Sequence, residues 1–138
     1  MRILPILPML LLLACAGTRA IEPQIVERPV DWSGAAEVRI ALSSFEFTPR
    51  ELTLMAGQPY RLEFVNEAGG GHDFTAPEFF AAARVDARDA AKIADGRIDL
   101  DGGESVTVRL IPAAGSYDIV CTHFGHAMLG MRGDIVVE

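Results

Sequence analysis

The chain has little cysteine, little positive charge and no apolar run long enough to cross a membrane. Its two cysteines are Cys15 and Cys121, so removal or modification of the first leaves no intramolecular disulfide. The chain has 12 basic and 19 acidic residues, and the net charge of -7 argues against nucleic acid as a partner. The longest apolar run, residues 3–14, falls short of the ~20 residues that span a bilayer. The 138 residues suffice for one domain.

The N-terminus predicts export. Arg2 followed by the apolar run is typical of a signal peptide over residues 1–14. The stretch LLAC, ending at Cys15, resembles the lipobox of bacterial lipoproteins, in which the cysteine after the cut carries the lipid. We expect a protein of the periplasm or cell envelope, anchored to the membrane through the lipid on Cys15 alone. Small residues on both sides of Cys15 also suit ordinary signal cleavage, so a soluble periplasmic form remains the alternative.

The remainder divides into a tether and a folded domain. Residues 15–37 contain proline, glycine and serine without a sustained period, which predicts a tether. From residue 38 onward, apolar residues alternate with polar ones in short runs separated by turn sequences, which predicts an all-β domain of two packed sheets. Residues 77–94 are alanine-rich and begin with Pro77, which predicts a helical insertion.

The segment CTHFGHAMLGM, residues 121–131, concentrates unusual chemistry in one loop between two predicted strands. The thiolate of Cys121, the imidazole of His126 and the thioether of Met131 are the donors that suit copper, with methionine as a weak axial ligand. His72 is the only histidine outside the loop and is the expected second imidazole. Zinc would accept cysteine and histidine but gains nothing from the thioether.

The order His, Cys, His, Met resembles the cupredoxins, the small type 1 blue copper proteins. Four residues separate Cys121 from His126, and four more separate His126 from Met131, as in members of that family. The resemblance extends over residues 38–138. It implies a Greek-key β-sandwich or barrel that holds one copper ion through His72, Cys121, His126 and Met131.

Several residues around the expected site depart from the family pattern or extend it. Asp73 stands where the best-known members carry Asn or Ser, and a hydrogen bond from Thr122 would preserve the link between the two ligand segments. An ionised Asp73 would also favour Cu(II) and lower the reduction potential. His123 has no ligand role at this spacing; we expect a local hydrogen bond or exposure to solvent, with a proton-linked or second metal contact as the alternative. A further set is expected to form an apolar rim around His126, through which electrons leave: Ala127, Met128 and Leu129.

Two functions fit this site. The first is electron transfer by one copper ion cycling between Cu(I) and Cu(II); the second is carriage, storage or insertion of copper in the envelope. We do not expect an enzyme, because the chain has no His-x-His pair for a trinuclear copper centre. We expect the chain to be a monomer. Its expected partner is a redox protein, such as a cytochrome or a terminal oxidase, with a basic docking surface that complements the acidic chain.

Overall fold

The computed structural model describes residues 20–138. The predicted signal peptide and the predicted lipid anchor Cys15 lie outside this range. None of the helices between residues 20 and 138 has the length and apolarity needed to cross a bilayer. The strands and the α-helix of this part are, in chain order, β1 (Gln24–Ile25), β2 (Ala36–Ser43), β3 (Glu46–Thr48), β4 (Glu51–Leu54), β5 (Tyr60–Asn66), β6 (His72–Thr75), α1 (Pro77–Ala82), β7 (Arg84–Val85), β8 (Arg97–Leu100), β9 (Ser105–Ile111), β10 (Gly115–Val120) and β11 (Arg132–Val137).

The strands form two sheets, as the sequence predicts. The first has the order β1-β7-β9-β5-β2-β3 and the second the order β4-β11-β10-β6-β8. Antiparallel pairs predominate, and the parallel ones are β1 with β7, β2 with β5 and β4 with β11. The second sheet positions the site, because β6 lies between β8 and β10, and Val120, the last residue of β10, pairs with Thr75. The chain that follows β10 therefore runs beside the start of β6.

Alternating apolar residues face inward from both sheets and form one core. The side chains of Leu42, Leu62 and Phe64 from the first sheet are completely buried. Phe74 of the second sheet is also fully buried, and the centroid of its ring lies 4.8 Å from that of Phe64. Each buried side chain of this size contributes about 1.5–3 kcal/mol relative to an exposed one. This core packs the two sheets against each other. It gives the loops at the end of the sandwich a rigid support.

The helical insertion is shorter than the sequence predicts. Helix α1 ends at Ala82, Ala83 is extended, and the chain then forms β7 and a single 3-10 turn at Ala90–Lys92. Two tertiary interactions override the helix propensity of the alanines. Val85 pairs with Leu110 of β9, and the carboxylate of Asp89 accepts a 2.9 Å hydrogen bond from the backbone N–H of Arg109. The prediction of a helix through residue 94 is therefore wrong after Ala82.

Part of the segment predicted as a tether belongs to the first sheet. Strand β1 pairs in parallel with β7, and β2 begins at Ala36 rather than at residue 38. The side chain of Gln24 also donates a 2.9 Å hydrogen bond to the carbonyl of Ala81. A two-residue strand is too short to produce an alternation of polar and apolar residues, so the sequence gives no signal for β1.

Candidate metal centre

A hydrogen-bonded turn positions His72. The side chain of Asn66, the last residue of β5, is buried. Its amide nitrogen donates to the carbonyls of Gly70, Leu100 and Asp101 at 2.8, 3.1 and 3.1 Å. This single buried side chain links the glycine-rich turn to the end of β8, because its amide group bonds to backbone carbonyls of both segments. Strand β6 begins directly after this turn, at His72.

Backbone hydrogen bonds fold the loop between β10 and β11 back on itself. The N–H of Cys121 donates to the carbonyl of Met131 at 3.2 Å, which closes the two ends of the loop. The carbonyl of His126 accepts from the N–H of Met131 at 3.0 Å. Gly130, with φ of +97°, allows the chain to reverse at a conformation that other residues avoid. Three predicted ligands therefore share one compact loop.

Three donor atoms from the two ligand segments converge. The Sγ of Cys121 lies 3.5 Å from Nδ1 of His126 and 3.9 Å from Nδ1 of His72, and the two ring nitrogens are 3.1 Å apart. Donors bound to one ion in a trigonal plane, each about 2.0–2.3 Å from it, stand roughly 3.5 Å from one another. The observed separations fit this geometry, so the cluster of His72, Cys121 and His126 is suited to one copper ion.

Met131 completes the donor set by its burial and its place in the loop. Its side chain is fully buried, and its backbone bonds to both Cys121 and His126. Met128, the other methionine of the loop, is 91% exposed. Burial and backbone position thus favour Met131, and not Met128, as the thioether of the donor set. A thioether beside one thiolate and two imidazoles favours copper over zinc.

Burial favours the neutral forms of two of these ligands. Removal from water lowers the pKa of His72, and the nearby rings of His126 and His123 lower it further. Burial likewise raises the pKa of the Cys121 thiol. A neutral imidazole is ready to bind a metal, whereas the thiol must lose its proton. A bound cation would stabilise the thiolate that the buried environment disfavours.

Asp73 links the two ligand segments. Both of its carboxylate oxygens accept from the backbone N–H of Thr122 at 3.0 Å, and Oδ2 also accepts from the Thr122 hydroxyl at 2.8 Å. The hydroxyl of Thr75 donates to Oδ1 at 2.6 Å. The hydrogen bond expected between Thr122 and Asp73 is therefore present. The carboxylate is buried, and Oδ2 lies 3.9 Å from the sulfur of Cys121, close enough for its charge to act on the site.

His123 lies beside this link rather than in the donor cluster. Its Nε2 is 3.7 Å from Oδ2 of Asp73, and its ring stacks on that of His126 with 5.5 Å between centroids. The ring packs closely over Gly71, where a Cβ would lie 3.0 Å from Cε1 of His123. His123 is exposed, as expected of a loop histidine without a ligand role.

One aromatic residue at the site was not singled out from the sequence. Phe45, in the turn between β2 and β3, contacts the ring of His126 with 5.1 Å between centroids. Strand alternation carries no information about a turn residue. A signal was nevertheless present, because an aromatic residue next to Ser43 and Ser44 is unusual in a tight turn. Three residues of the loop are largely exposed around His126: Phe124, Met128 and Leu129.

A β-sandwich that gathers one thiolate, two imidazoles and one thioether at one end defines the class of small mononuclear copper proteins. The family of copper binding proteins of the plastocyanin/azurin type matches residues 35–138, and the chain belongs to this family. The resemblance to the cupredoxins is thereby confirmed.

Individual relatives agree with this assignment. Auracyanin-B of Chloroflexus aurantiacus is 32% identical over 119 residues, which cover 73% of this chain. The chain spans about half, 51%, of the length of that relative. Among solved structures, auracyanin B superposes with a TM-score of 0.58 at 24% identity, covering 85% of this chain and 96% of the other. Auracyanin A, described as a "blue" copper protein of the same organism, superposes at 0.50 with 27% identity, covering 75% of this chain and all of the other. A multicopper oxidase shares the fold at 16% identity and a TM-score of 0.55, over 74% of this chain and 41% of its own.

Proposed function

We propose that the chain is a blue copper electron-transfer protein whose single ion is held by His72, Cys121, His126 and Met131. The observation that carries the proposal is the convergence of three donor atoms within 3.9 Å of one another, from two segments far apart in sequence. Copper supplies a centre that accepts and releases one electron. The protein supplies the geometry and the exclusion of water.

The sheets, rather than the metal, hold the ligands. His72 is fixed by the Asn66 turn and Cys121 by the end of β10, and the Asp73–Thr122 hydrogen bonds join the two segments. Ligands fixed in this way keep similar positions in both oxidation states, so little rearrangement accompanies the gain or loss of an electron. Burial of His72, Cys121 and Met131 keeps water and substrates from the site. A closed four-ligand site of this kind is suited to electron transfer rather than to enzymatic oxidation.

His126 provides the route to the surface. Its side chain is half-buried, and it is followed by Ala127, half-buried, and by Met128 and Leu129, 91% and 64% exposed. We define these three residues as the apolar rim, and an apolar surface beside a ligand lets a partner approach without displacing strongly bound water. The partner we propose is a redox protein such as a cytochrome or a terminal oxidase, whose basic residues would complement the net charge of -7.

The proposed location is the cell envelope. It is supported by the apolar N-terminal run with its lipobox-like LLAC and by the relationship to auracyanin-B. Attachment through a lipid on Cys15 is part of the proposal, with a soluble periplasmic form as the alternative. We propose a monomer, because electron transfer through the apolar rim requires this surface to be free for the partner.

Copper carriage is the second candidate, and burial of the ligands argues against it. Handing copper to an acceptor requires stepwise replacement of ligands, yet Cys121 and Met131 have no exposed surface. Only the edge of His126 is open to an incoming ligand. Carriage would predict rapid transfer of Cu(I) to a chelator, whereas a closed site predicts slow transfer and rapid exchange of electrons.

The test is to add Cu(II) to the chain carrying Cys15→Ser, in which Cys121 is the one thiol, and to record visible absorption and electron paramagnetic resonance. We expect an intense thiolate-to-copper charge-transfer band that disappears in Cys121→Ala. Met128→Ala is the matched control, because it removes a sulfur from the same loop without removing a buried donor, and it should retain the band. A copper complex without the band in the parent chain would contradict the proposal. Reduction by a cytochrome then separates electron transfer from carriage.

A further inference from the structure

Phe45 has an unfavourable backbone conformation. It is the second of the two residues that join Ser43 of β2 to Glu46 of β3, and its φ is +66°. This left-handed region is uncommon for residues with a Cβ and especially for bulky ones. Glycine or asparagine usually occupies such a turn position. A requirement of the turn alone would therefore not select phenylalanine.

The position of the ring is also costly, because 40% of the side chain is exposed at the surface. The ring meets that of His126 almost perpendicularly, with an interplanar angle of 86° and 5.1 Å between centroids. Edge-to-face packing at about this distance is the favourable arrangement for two aromatic rings. Both the strained backbone and the exposed surface of Phe45 thus accompany a close ring contact with a predicted copper ligand.

The contact between Phe45 and His126 joins the first sheet to the loop of the second sheet. The other rings beside His126 are His72 and His123, at 4.7 and 5.5 Å, and both lie on the second sheet or in its loop. Phe45 comes from the first sheet. Hydrogen bonds fix the backbone of His126 within the loop, but in the described part of the chain Phe45 alone among its ring neighbours ties the imidazole to the opposite sheet.

We propose that Phe45 is a positioning residue for His126. The proposal rests on the copper function above. Its ring fixes the plane of the imidazole and covers part of it from water, so that the most exposed ligand keeps one orientation in both oxidation states. Local strain retained at a site is expected where the surrounding structure makes use of it.

The experiment compares four variants of the full copper-loaded chain. Phe45→Leu retains the backbone strain and apolar bulk but removes the ring, Phe45→Gly removes both strain and ring, and Phe45→Tyr retains the ring. Phe124→Leu is the matched control, because Phe124 is a fully exposed aromatic residue of the loop that carries His126, and no ring partner of Phe124 is seen among residues 20–138. The measurements are the copper hyperfine splitting in electron paramagnetic resonance and the Cu(II)/Cu(I) ratio at a fixed potential.

We expect Phe45→Leu and Phe45→Gly to change the hyperfine splitting alike and to shift the Cu(II)/Cu(I) ratio by about threefold or more. Phe45→Tyr and Phe124→Leu should match the parent. If the turn conformation were the cause, Leu would match the parent and only Gly would differ. A parent-like spectrum and ratio in Phe45→Leu would overturn the proposal.

A measurement on the metal-free chain separates this proposal from the copper function. Proton resonances of the His126 ring, followed by nuclear magnetic resonance, should show one orientation in the parent and Phe45→Tyr. They should show averaging between orientations in Phe45→Leu and Phe45→Gly. A parent chain that fails to bind copper would remove the proposed function, while a His126 ring with unchanged order in both ring-less variants would remove the role of Phe45.

Discussion

A comparison of two polar clusters among residues 20–138, each with buried members, shows two ways in which burial acts on ionisable groups. The ligand cluster consists of His72, Cys121 and His126, whose donor atoms face one another without an opposite charge among them. The ion-pair cluster lies between the 3-10 turn and β9. In it the buried carboxylate of Asp89 accepts from Arg109 Nε and Lys92 Nζ, both at 2.6 Å.

Burial has opposite outcomes in the two clusters. In the ligand cluster it prevails, lowering the pKa of His72 and raising that of Cys121, so both groups tend to the neutral form. Burial also acts to raise the pKa of Asp89, but the hydrogen bonds from Arg109 and Lys92 outweigh it and the pKa lies below its ordinary value. A hydrogen bond from Arg88 lowers the pKa of Asp86 in the same way.

This difference separates a structural cluster from a functional one. In the ion-pair cluster the charges are paired within the chain, and the carboxylate of Asp89 holds the segment after α1 against β9. In the ligand cluster the side chains of His72, Cys121 and His126 direct their donor atoms at one another rather than at an oppositely charged side chain. Perturbed pKa values occur in both, so the perturbation alone identifies neither. The difference lies in its cause: burial prevails at His72 and Cys121, whereas hydrogen bonds from cations prevail at Asp89.

The largest expected effect is stabilisation by copper of the ligand cluster alone. At a free copper concentration 1,000 times the dissociation constant, binding to the folded state adds about 4 kcal/mol to the free energy of unfolding. His72→Ala should lose most of this gain in chemical denaturation, while Asp89→Asn should retain all of it. Equal gains in parent and His72→Ala would mean that copper binds elsewhere.

The second effect concerns the ion-pair cluster. Asp89→Asn removes the charge that two cations share, and we expect a loss of about 2–3 kcal/mol in the free energy of unfolding of the metal-free chain. The copper absorption band should not change. Asp118→Asn, which removes the same charge at an exposed position of β10, is the control and should unfold like the parent.

The same carboxylate predicts a dependence on pH. Because the pKa of Asp89 in the folded chain lies below the ordinary 3.8, folding favours the ionised form. Its contribution is complete above about pH 5 and is lost as pH falls through the folded value. The parent should therefore lose more stability than Asp89→Asn between pH 5 and the acid limit of folding. Parallel curves for the two would show that Asp89 does not contribute in this way.

A smaller effect is expected from the charge of Asp73, which lies beside the ligand cluster. Asp73→Asn should raise the reduction potential, on the order of 100 mV, because a buried negative charge near the sulfur favours Cu(II). Asn retains one oxygen to accept from Thr122. The control is Asp99→Asn, since Asp99 is the cross-strand partner of Asp73 but is exposed and paired with Arg97 at 3.0 Å. Voltammetry should give a smaller shift for Asp99→Asn, and an unchanged potential in Asp73→Asn would contradict the electrostatic argument.

The sequence predicted the ligand cluster better than the ion-pair cluster, for a physical reason. Donor type and spacing within residues 121–131 identify a copper loop locally, and with one histidine outside the loop the remote ligand was His72. Alternation of apolar and polar residues predicted the long strands, because successive side chains of a strand point to opposite faces of the sheet. The ion-pair cluster has no comparable local pattern, since Asp89 and Arg109 are 20 residues apart and only folding brings them together.

The same limit explains the two errors and the omission. Alanine propensity extended α1 to residue 94 because it ignores the pairing of Val85 with Leu110. Strand β1 is two residues long and has no period of its own. The sequence shows an unusual aromatic residue in the turn at Phe45, but it does not show that the ring contacts His126, because that contact joins segments far apart in the chain.

The smallest effect is expected for an ion pair on the surface. It tests whether pairing of opposite charges stabilises the chain when the charges are exposed to water. Arg39 pairs with Glu63 and Glu67 at 3.2 Å on the outer face of the first sheet, and all three side chains are about half exposed. Water and salt already stabilise these charges separately, so their pairing changes little on folding. Glu63→Gln should therefore unfold like the parent at both low and high salt, in contrast to Asp89→Asn, whose buried carboxylate has no access to solvent. If Glu63→Gln lowered the free energy of unfolding as much as Asp89→Asn, pairing of opposite charges would stabilise the chain whether or not the charges are buried. Burial would then not explain the difference between the two clusters.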